Sequence, residues 1–373
     1  MGKPKRVLHV VSAMNRGGAE TLLMNVYRNI DKSKVQFDFV SHRPEPGDYD
    51  EEILALGGKV YRTNSLGKVG SISYIKGLLN ILSNEKYIAV HAHTDYQSGF
   101  PVIAAKLKGI KKRVCHSHSN SWDRGFAFKE KITLTFLRTL IKCFATDYCA
   151  CSLEAARFLY GRKFIDHGKV ILLKNGIDVS QFENTGNNWS LRDEINLPNK
   201  VKIIGHVGTF SASKNHQFIL KVLREKLTKD EHFVVVLVGE GPLRQDIEKE
   251  AEKMGVSNHI RFLGVRTDIP RLMKEFDVFL FPSIFEGFGI VTLEAQCAGT
   301  PCVVSDAVPK STDMDLGLMS FVSLNDSIDK WSKEIDRAIS LEELEERKII
   351  HRITESGFDI RRNVDHWLAL YEH

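Results

Sequence analysis

The chain has 373 residues, more than one hydrophobic core usually serves, so we expect two domains. Its 43% hydrophobic and 27% charged residues are typical of a folded protein and argue against global disorder. No apolar run reaches the roughly 18 to 20 residues that a membrane-spanning helix needs, and the start does not have the pattern of a secretion signal. We therefore expect a cytoplasmic protein.

The charge is unevenly distributed along the chain. Residues 1–190 carry 28 Lys and Arg against 17 Asp and Glu, whereas residues 191–373 carry 24 against 30. A basic first half indicates an anionic partner. The acidic second half and the lack of a base-stacking motif argue against nucleic acid as that partner. The six cysteines lack the paired C-x-x-C spacing, so we interpret them as buried free thiols.

Strand-like runs alternate with amphipathic helices in both halves. In chain order, strands are predicted at 6–12, 36–40, 88–92, 112–116, 147–151, 202–207, 232–238, 260–263, 277–281 and 302–305, with helical spacing at segments such as 19–30 and 73–83. Continuous β-branched runs indicate strands buried on both faces, hence parallel sheets. We therefore predict an α/β protein with two Rossmann-like doubly wound domains facing each other across a cleft.

The domain boundary is predicted in 183–200, a polar stretch rich in Asn and Gly. The N-terminal domain would span 1–185, and the C-terminal domain 197–354. The closing amphipathic segment, about 355–373, is a candidate to pack back on the first domain.

Glycine-rich loops follow two of the predicted strands. Gly17-Gly18 opens a helix after the first strand, where backbone N–H groups can approach an anion closely. The loop that begins at Gly208 brings Lys214 to the start of a helix, which suits a phosphate or diphosphate. Neither G-x-G-x-x-G nor a Walker A sequence occurs in these loops, which disfavours a dehydrogenase and an ATPase.

The stretch FEGFGIVTLEAQ combines carboxylates with a helix start. Glu286 lies in the loop before the predicted helix, and the first N–H groups of that helix, on Gly289, Ile290 and Val291, would form an anion site. Glu294 lies more than one turn into the helix and can bond hydroxyls. Carboxylates that accept from hydroxyls, together with N–H groups that bind phosphates, suit a sugar nucleotide as ligand. Spacing alone equally allows Glu286 to be a solvated loop residue and Glu294 an ordinary helix residue.

The same stretch resembles the retaining glycosyltransferases of family 4, which have the GT-B fold. Their E-x7-E motif corresponds to Glu286 and Glu294 in this sequence. Four further segments agree in order and spacing, and the resemblance covers nearly the whole chain: Gly17-Gly18, NGID at 175–178, G-x5-K at 208–214, and GEGPLR followed by FLGVRTDI within 239–269. The segments GTFSASKNHQF and HSHS resemble bacterial exopolysaccharide and capsule transferases in particular.

The resemblance implies that 1–185 is the acceptor-side domain and 197–354 the nucleotide-sugar-binding domain, and it implies roles for individual residues. Lys214 would hold the donor diphosphate beside the N–H groups of 289–291, Glu294 would bind the ribose hydroxyls, and Glu286 would contact the transferred sugar. His118, in RVCHSHS, would hydrogen-bond that sugar in the cleft, with Gly17 and Gly18 on the other wall.

One position departs from the family pattern. Thr209 stands after Gly208, where the family commonly has Arg. Arg266, in FLGVRTD, is a candidate substitute for the missing cation.

The implied reaction is transfer of a sugar, with retention, from a nucleotide-sugar to a saccharide or lipid-linked acceptor. UDP is the expected nucleotide, with GDP as the second choice, and we expect no cofactor and no metal requirement. Two alternatives remain open. One is a sugar-nucleotide epimerase of the same fold; the other is a catalytically silent sugar-nucleotide-binding protein, suggested by Thr209.

Two further patterns bear on metal binding and on membrane contact. His91, His93, His116 and His118 form two H-x-H pairs, but no carboxylate or cysteine spacing completes a metal site. The basic amphipathic segment 124–144, with the cations of 106–113, is either a core-facing helix with a solvated basic side or a patch for an anionic membrane. Because lipid-linked acceptors require such contact, we favour peripheral association with the cytoplasmic face of the membrane.

Overall fold

A computed structural model describes residues 3–119, 128–183 and 189–372. Residues 124–127 of the predicted basic segment and 184–188 of the predicted linker lie outside the described residues. The chain divides into two compact units, unit 1 comprising residues 1–176 and 360–373 and unit 2 comprising residues 177–359. The observed division after Gly176 comes earlier in the chain than the predicted boundaries at 185 and 197.

Unit 1 is a parallel sheet with helices on both faces. Its strands are β1 (Lys5–Val11), β2 (Val35–Ser41), β3 (Val60–Arg62), β4 (Tyr87–Ala92), β5 (Lys112–Ser117), β6 (Asp147–Ala150) and β7 (Val170–Leu172). The order across the sheet is β3-β2-β1-β4-β5-β6-β7, and the pairings are parallel. The helices of this first segment are α1 (Gly18–Asn29), α2 (Asp50–Ala55), α3 (Leu66–Ile81), α4 (Gly99–Leu107), α5 (Phe128–Phe144), α6 (Leu153–Tyr160) and α7 (Arg162–Asp166).

Unit 2 repeats this architecture with six strands. They are β8 (Lys202–Val207), β9 (Phe233–Val238), β10 (Ile260–Gly264), β11 (Val278–Phe281), β12 (Cys302–Ser305) and β13 (Met319–Val322), in the order β10-β9-β8-β11-β12-β13. Its helices are α8 (Leu191–Glu194), α9 (His216–Leu227), α10 (Arg244–Lys253), α11 (Ile269–Lys274), α12 (Ile290–Cys297), α13 (Ile328–Ile339) and α14 (Glu346–Glu355). The predicted fold class, two doubly wound α/β domains, is confirmed.

The last helix, α15 (Ile360–Glu372), belongs to unit 1. Its apolar side joins the core that β1, β2 and α1 build, with Ile360 and Trp367 fully buried. The Tyr371 hydroxyl lies 2.7 Å from Nδ1 of His91 on β4. Unit 1 is therefore assembled from two separate segments of the chain.

Each sheet has a point where the chain changes direction across it. In unit 1 this point lies between β1 and β4, and in unit 2 between β8 and β11. Loops at the carboxyl ends of such neighbouring strands diverge and leave room for a ligand. Among the described residues, no helix combines the length and apolar character needed to cross a membrane.

Candidate active site

The loops that follow β8 and β11 are joined by hydrogen bonds at the carboxyl edge of the unit 2 sheet. The Ile284 N–H donates to the Ser213 carbonyl at 2.8 Å, and the Asn215 amide donates to the Pro282 carbonyl at 3.1 Å. Asn215 is in the left-handed region, with φ of +57°, which ends the first loop at the start of α9. These bonds bring the two predicted site loops side by side.

Lys214 and Glu286 form an ion pair across these two loops. The Lys214 ammonium donates to Glu286 Oε1, and the two side chains are only 20% and 11% exposed. The same ammonium lies 4.7 Å from the centre of the Phe281 ring, at the end of β11. The structure therefore brings together two of the three residues that the sequence assigns to the reaction.

The helix α12 begins directly beside this pair. Its N-cap is Gly289, whose φ of +84° is a conformation that residues with a Cβ rarely adopt. Thr292 bonds back to the Gly289 carbonyl through both its N–H and its hydroxyl. Within the described residues, the N–H groups of Ile290 and Val291 have no hydrogen-bond acceptor, so this helix end can receive an anion.

Glu294 lies one turn further along α12, on the half-buried side of the helix. Burial raises the pKa of its carboxyl to about 7. A carboxyl group that is costly to ionise gains from hydroxyl donors, because they stabilise its charged form. This is the environment that a ligand with a vicinal diol would complete.

The loop after β8 packs against the turn after β9. A Cβ on Gly239, whose φ is +135°, would lie 2.2 Å from the Gly208 carbonyl oxygen, so only glycine fits at this contact. The Gly208 N–H in turn donates to the Val238 carbonyl at 2.9 Å. Thr209 is exposed at the tip of this loop. The position that departs from the family pattern is thus open to a ligand.

Arg266 follows β10 and already has two anionic partners. It forms ion pairs with Glu194 and Asp268, and these carboxylates raise the pKa of its guanidinium. Its charge is compensated within unit 2 by side chains that are not part of the Lys214–Glu286 pair. To serve as the substitute for the missing arginine, Arg266 would therefore have to give up contacts with these carboxylates.

Two buried histidines beneath this loop were missed by the sequence analysis. His206 on β8 donates its Nδ1–H to the Leu280 carbonyl, 2.9 Å away, and His216 stacks on Phe210 at 4.1 Å. Within the described residues, Nε2 of His206 and both ring nitrogens of His216 have no partner. The segment SKNHQF contains one of them, but only the fold brings the two rings to 4.7 Å.

In unit 1, Gly17 and Gly18 stand at the start of α1, after β1, as predicted from their position. Sequence reasoning missed Glu20, whose Oε2 lies 2.4 Å from the point where a Gly17 Cβ would stand. Burial, and to a lesser degree Asp95, raise the pKa of the Glu20 carboxyl to about 7, against a hydrogen bond from its own N–H that lowers it. The side chain of Glu20 therefore lies against the start of α1, where the sequence analysis predicts that an anion could bind.

Asp95, also missed, fixes the backbone that carries His118. Its Oδ1 accepts the N–H groups of His118 at 2.7 Å and Ser119 at 3.1 Å. Asp95 has a φ of +46°, and burial raises the pKa of its carboxyl to about 6 despite these two bonds. A short acidic residue after β4 is a weak signal, so the sequence offered little to find it.

Five histidines lie near the carboxyl edge of the unit 1 sheet, on β1, β4 and β5 or directly after them: His9, His91, His93, His116 and His118. Burial lowers the pKa of each imidazole, to about 4 for His118, so the rings are neutral at pH 7. Two triads within this cluster place ligand atoms close enough for a metal ion.

Ring orientation in the histidine cluster opposes coordination. His116 and His118 stack with centroids 4.1 Å apart and planes inclined by 23°, and His91 and His93 stack at 4.2 Å and 29°. A metal ion lies close to the plane of each imidazole that binds it, which two stacked, nearly parallel rings cannot both satisfy. Either triad would have to reorient a ring before it could bind a metal ion.

Sequence comparisons match both units to glycosyltransferase families. Residues 16–181 match Glycosyltransferase Family 4, and residues 187–353 match Glycosyl transferases group 1. A Bacillus subtilis (strain 168) protein provisionally named glycosyltransferase EpsF is 42% identical over 372 residues, which cover 98% of this chain and 96% of that protein.

Two further comparisons carry printed ligands or substrates. The Escherichia coli UDP-Gal:alpha-D-GlcNAc-diphosphoundecaprenol alpha-1,3-galactosyltransferase is 29% identical over 241 residues, 61% of this chain and 60% of that protein. The fold matches the crystal structure of Anabaena Alr3699/HepE in complex with UDP and glucose, with a TM-score of 0.76 and 19% identity over 98% of both chains. On these grounds, the chain belongs to glycosyltransferase family 4 and is a glycosyltransferase with the GT-B fold.

Proposed function

We propose that the protein transfers a sugar from a UDP-sugar to a saccharide on a lipid-linked acceptor, with retention at the anomeric carbon, in the synthesis of a bacterial surface polysaccharide. The observation that carries this proposal is the convergence of Lys214, Glu286 and the N-terminus of α12 at one edge of the unit 2 sheet. UDP is supported by the E. coli relative that uses UDP-Gal and by the HepE complex with UDP. The lipid-linked acceptor is supported by the diphosphoundecaprenol in the name of the same relative.

The chemistry places negative charge on the leaving group. The bond between the anomeric carbon and the diphosphate oxygen breaks, the acceptor oxygen bonds to that carbon, and the acceptor proton passes to a diphosphate oxygen. In this proposal the Lys214 ammonium and the N–H groups of Ile290 and Val291 stabilise the departing diphosphate. Preorganised donors of this kind are worth about 10²–10³ in kcat each.

The remaining residues recognise the rest of the donor. Glu294 accepts hydrogen bonds from the ribose hydroxyls, and Glu286 contacts the transferred sugar once the diphosphate has taken its place on Lys214. His118 of unit 1 hydrogen-bonds the same sugar, as the family resemblance implies. Thr209 supplies a hydroxyl where the family commonly has a cation, so Lys214 carries a larger share of the diphosphate charge.

Transfer in this proposal needs no metal ion, since Lys214 and the α12 N-terminus provide the positive potential at the diphosphate. We expect full activity after dialysis against EDTA. Loss of activity that Mg²⁺ or Mn²⁺ restores would contradict this part of the proposal.

Helix α5 is the candidate for membrane contact. Phe128, Ile132 and Phe136 are 81%, 55% and 56% exposed and recur every four residues, opposite the buried Leu134 and Leu137. Three exposed lysines flank this stripe on the helix: Lys129, Lys131 and Lys142. Apolar side chains with cations beside them are the pattern by which a surface helix binds an anionic membrane. We therefore include peripheral membrane contact in the proposed function.

The first test is thermal stabilisation across UDP-, GDP-, ADP- and TDP-sugars and the free nucleotides, because a ligand that binds the native state raises its Tm. We expect UDP and UDP-sugars to raise Tm, and the Lys214→Ala and Glu294→Ala variants to lose this shift. Lys221 is an exposed lysine on α9, the helix that follows the Lys214 loop, so Lys221→Ala is the matched control and should keep the shift.

Transfer itself is then followed with the stabilising donor and a sugar-diphosphoundecaprenol acceptor. NMR of the product should show the anomeric configuration of the donor. Wild-type activity in both Lys214→Ala and Glu294→Ala would contradict the site assignment. A product with inverted configuration would contradict the retaining chemistry. An isomerised free sugar nucleotide, without transfer, would favour an epimerase.

A further inference from the structure

The histidines of unit 1 form a hydrogen-bonded chain that ends at His118. His9 Nδ1 lies 3.0 Å from His93 Nε2, and His93 Nδ1 lies 2.9 Å from His118 Nε2. His9 is fully buried and His93 is 6% exposed, whereas His118 is half-buried at the carboxyl edge. The chain therefore runs from the core of unit 1 to the one histidine that the proposed function uses.

Strand register explains why these three rings meet. β1 and β4 are neighbours with His9 opposite His91, and β4 and β5 are neighbours with Ala92 opposite Cys115. Side chains two residues apart on a strand share a face, so His93 lies one step beyond His91, towards the carboxyl edge. The outer ring, His118, is further held by its stack on His116.

A chain of neutral imidazoles permits two arrangements of its protons. Each neutral ring carries one N–H and one lone pair, so the direction of one bond fixes the direction of the next. In the first arrangement His118 donates inwards and His9 is left with an Nε2–H. In the second, His9 donates to His93, His93 donates to His118, and the N–H of His118 is on Nδ1.

The inner end of the chain selects between them. Nε2 of His9 is buried and has no partner within the described residues. A buried donor without an acceptor is rarer in proteins than an acceptor without a donor, so a bare Nε2 on His9 is favoured. This corresponds to the second arrangement, in which the ring of His118 presents a donor at Nδ1.

We propose that His93 is a positioning residue for sugar transfer: with His9, it fixes His118 as the tautomer that donates from Nδ1 to a hydroxyl oxygen of the transferred sugar. The inference rests on the proposed function, in which His118 contacts that sugar. The neutral state of all three rings supports it, because a protonated His93 would have no lone pair to accept from His9.

The kinetic test uses a matched pair at the carboxyl end of β4. His93→Phe removes both bonds of the chain, whereas His91→Phe alters a ring on the same face that is also buried and bonds Tyr371 instead of His118. His93→Asn keeps a donor near the position of Nδ1. We expect His93→Phe to lower kcat at least tenfold with the donor KM unchanged, His93→Asn to recover activity to within about threefold of wild type, and His91→Phe to keep wild-type kcat.

Equal losses of kcat in His93→Phe and His91→Phe, or no recovery in His93→Asn, would overturn the positioning role. His118→Phe separates this outcome from failure of the proposed function. If His118→Phe transfers sugar at the wild-type rate, the role of His118 is wrong; if it is inactive while the His93 variants are normal, only the positioning role is wrong. UDP-dependent stabilisation should persist in all of these variants.

A measurement on the unsubstituted protein covers the case in which the variants fail to fold. Two-bond ¹⁵N–¹H correlation spectra of ¹⁵N-histidine-labelled protein distinguish the two neutral tautomers. The His118 signal, identified by its absence in His118→Phe or His118→Asn, should be that of the Nδ1-protonated form. An Nε2-protonated signal would overturn the inference.

Discussion

Lys214 has an anionic partner of its own in unit 2, the Glu286 carboxylate. A diphosphate bound at the N-terminus of α12 would compete with that carboxylate for the ammonium. The pair therefore keeps the lysine in place while adding a cost to donor binding that the ligand has to exceed. The motif predicts both residues; their contact follows from the hydrogen bonds between the loops after β8 and β11.

Replacing Glu286 by Gln should separate binding from catalysis. Without the competing charge, UDP affinity should rise by about fivefold, which corresponds to the roughly 1 kcal/mol of a partly exposed ion pair. Transfer should fall at least tenfold, because the sugar loses a carboxylate contact. Isothermal titration with UDP and steady-state kinetics with the UDP-sugar measure the two effects. Weaker UDP binding in Glu286→Gln would show that this carboxylate assists the nucleotide.

Glu294 should make nucleotide binding depend on pH. Its pKa is raised to about 7 by burial, and ribose hydroxyls bind the ionised form better. UDP affinity should therefore rise as the pH increases from 6 to 8 and fall as the carboxyl is protonated below pH 7. In Glu294→Gln the affinity should be lower and the slope should match UDP's own phosphate titration. An unchanged slope in this variant would contradict the assignment, with Glu286→Gln as the comparison.

The strands in the middle of each sheet were predictable from the sequence. The sequence predicts β1, β2, β4, β5 and the long buried β9 to within a residue or two, because runs such as FVVVLV are buried on both faces. It misses β3, β7 and β13, the strands of three or four residues at sheet edges. These three strands are short and partly exposed, so none of them gives a buried apolar run as long as FVVVLV of β9.

Site residues follow the same division. The glycines, Lys214 and the two glutamates belong to short motifs, and each motif is contained within a single segment of the sequence. The chain of His9, His93 and His118 depends on β1, β4 and β5 being neighbours, which only the strand order provides. Glu20 and Asp95 act through backbone contacts, which residue type does not encode.

Helix α5 supplies a prediction for membrane binding. Replacing Ile132 and Phe136 by Glu should lower binding to phosphatidylglycerol vesicles at least tenfold, since burying each side chain contributes about 1.5–3 kcal/mol. Ile72→Glu, at an even more exposed apolar position on α3 (73% exposed), should bind as wild type. Cosedimentation with vesicles at two salt concentrations measures this. Equal binding by both variants would place the contact elsewhere.

Over the whole molecule, each unit has its own core and its own fully buried tryptophan. Trp367 on α15 packs in unit 1, and Trp331 on α13 packs in unit 2. The sequence analysis offers the closing segment, about 355–373, as a candidate to pack back on the first domain, and it makes no prediction for α13. In the structure α15 belongs to unit 1. The exact return point, at Ile360, depends on packing that no local pattern contains.

The two tryptophans should report on the units separately. Trp367→Ala and Trp331→Ala should each cost about 3–5 kcal/mol of unfolding free energy, as for other large buried side chains. Trp367→Ala should lower the unfolding transition of unit 1, while UDP still stabilises unit 2. Trp331→Ala should lower the transition of unit 2 and leave that of unit 1 unchanged. Calorimetry with and without UDP distinguishes them. A single transition lowered equally by both variants would mean that the units unfold together.

The return of α15 to unit 1 has a consequence for synthesis on the ribosome. Unit 2 is one continuous segment and can fold as soon as residue 359 has emerged, although it comes second in the chain. Unit 1 has to wait for residues 360–372, and until then the sheet face that carries His91 lacks its Tyr371 partner and its Trp367 cover. The nascent chain thus holds an incomplete first unit beside a finished second one, and this interval is when chaperones and proteases would find exposed apolar surface.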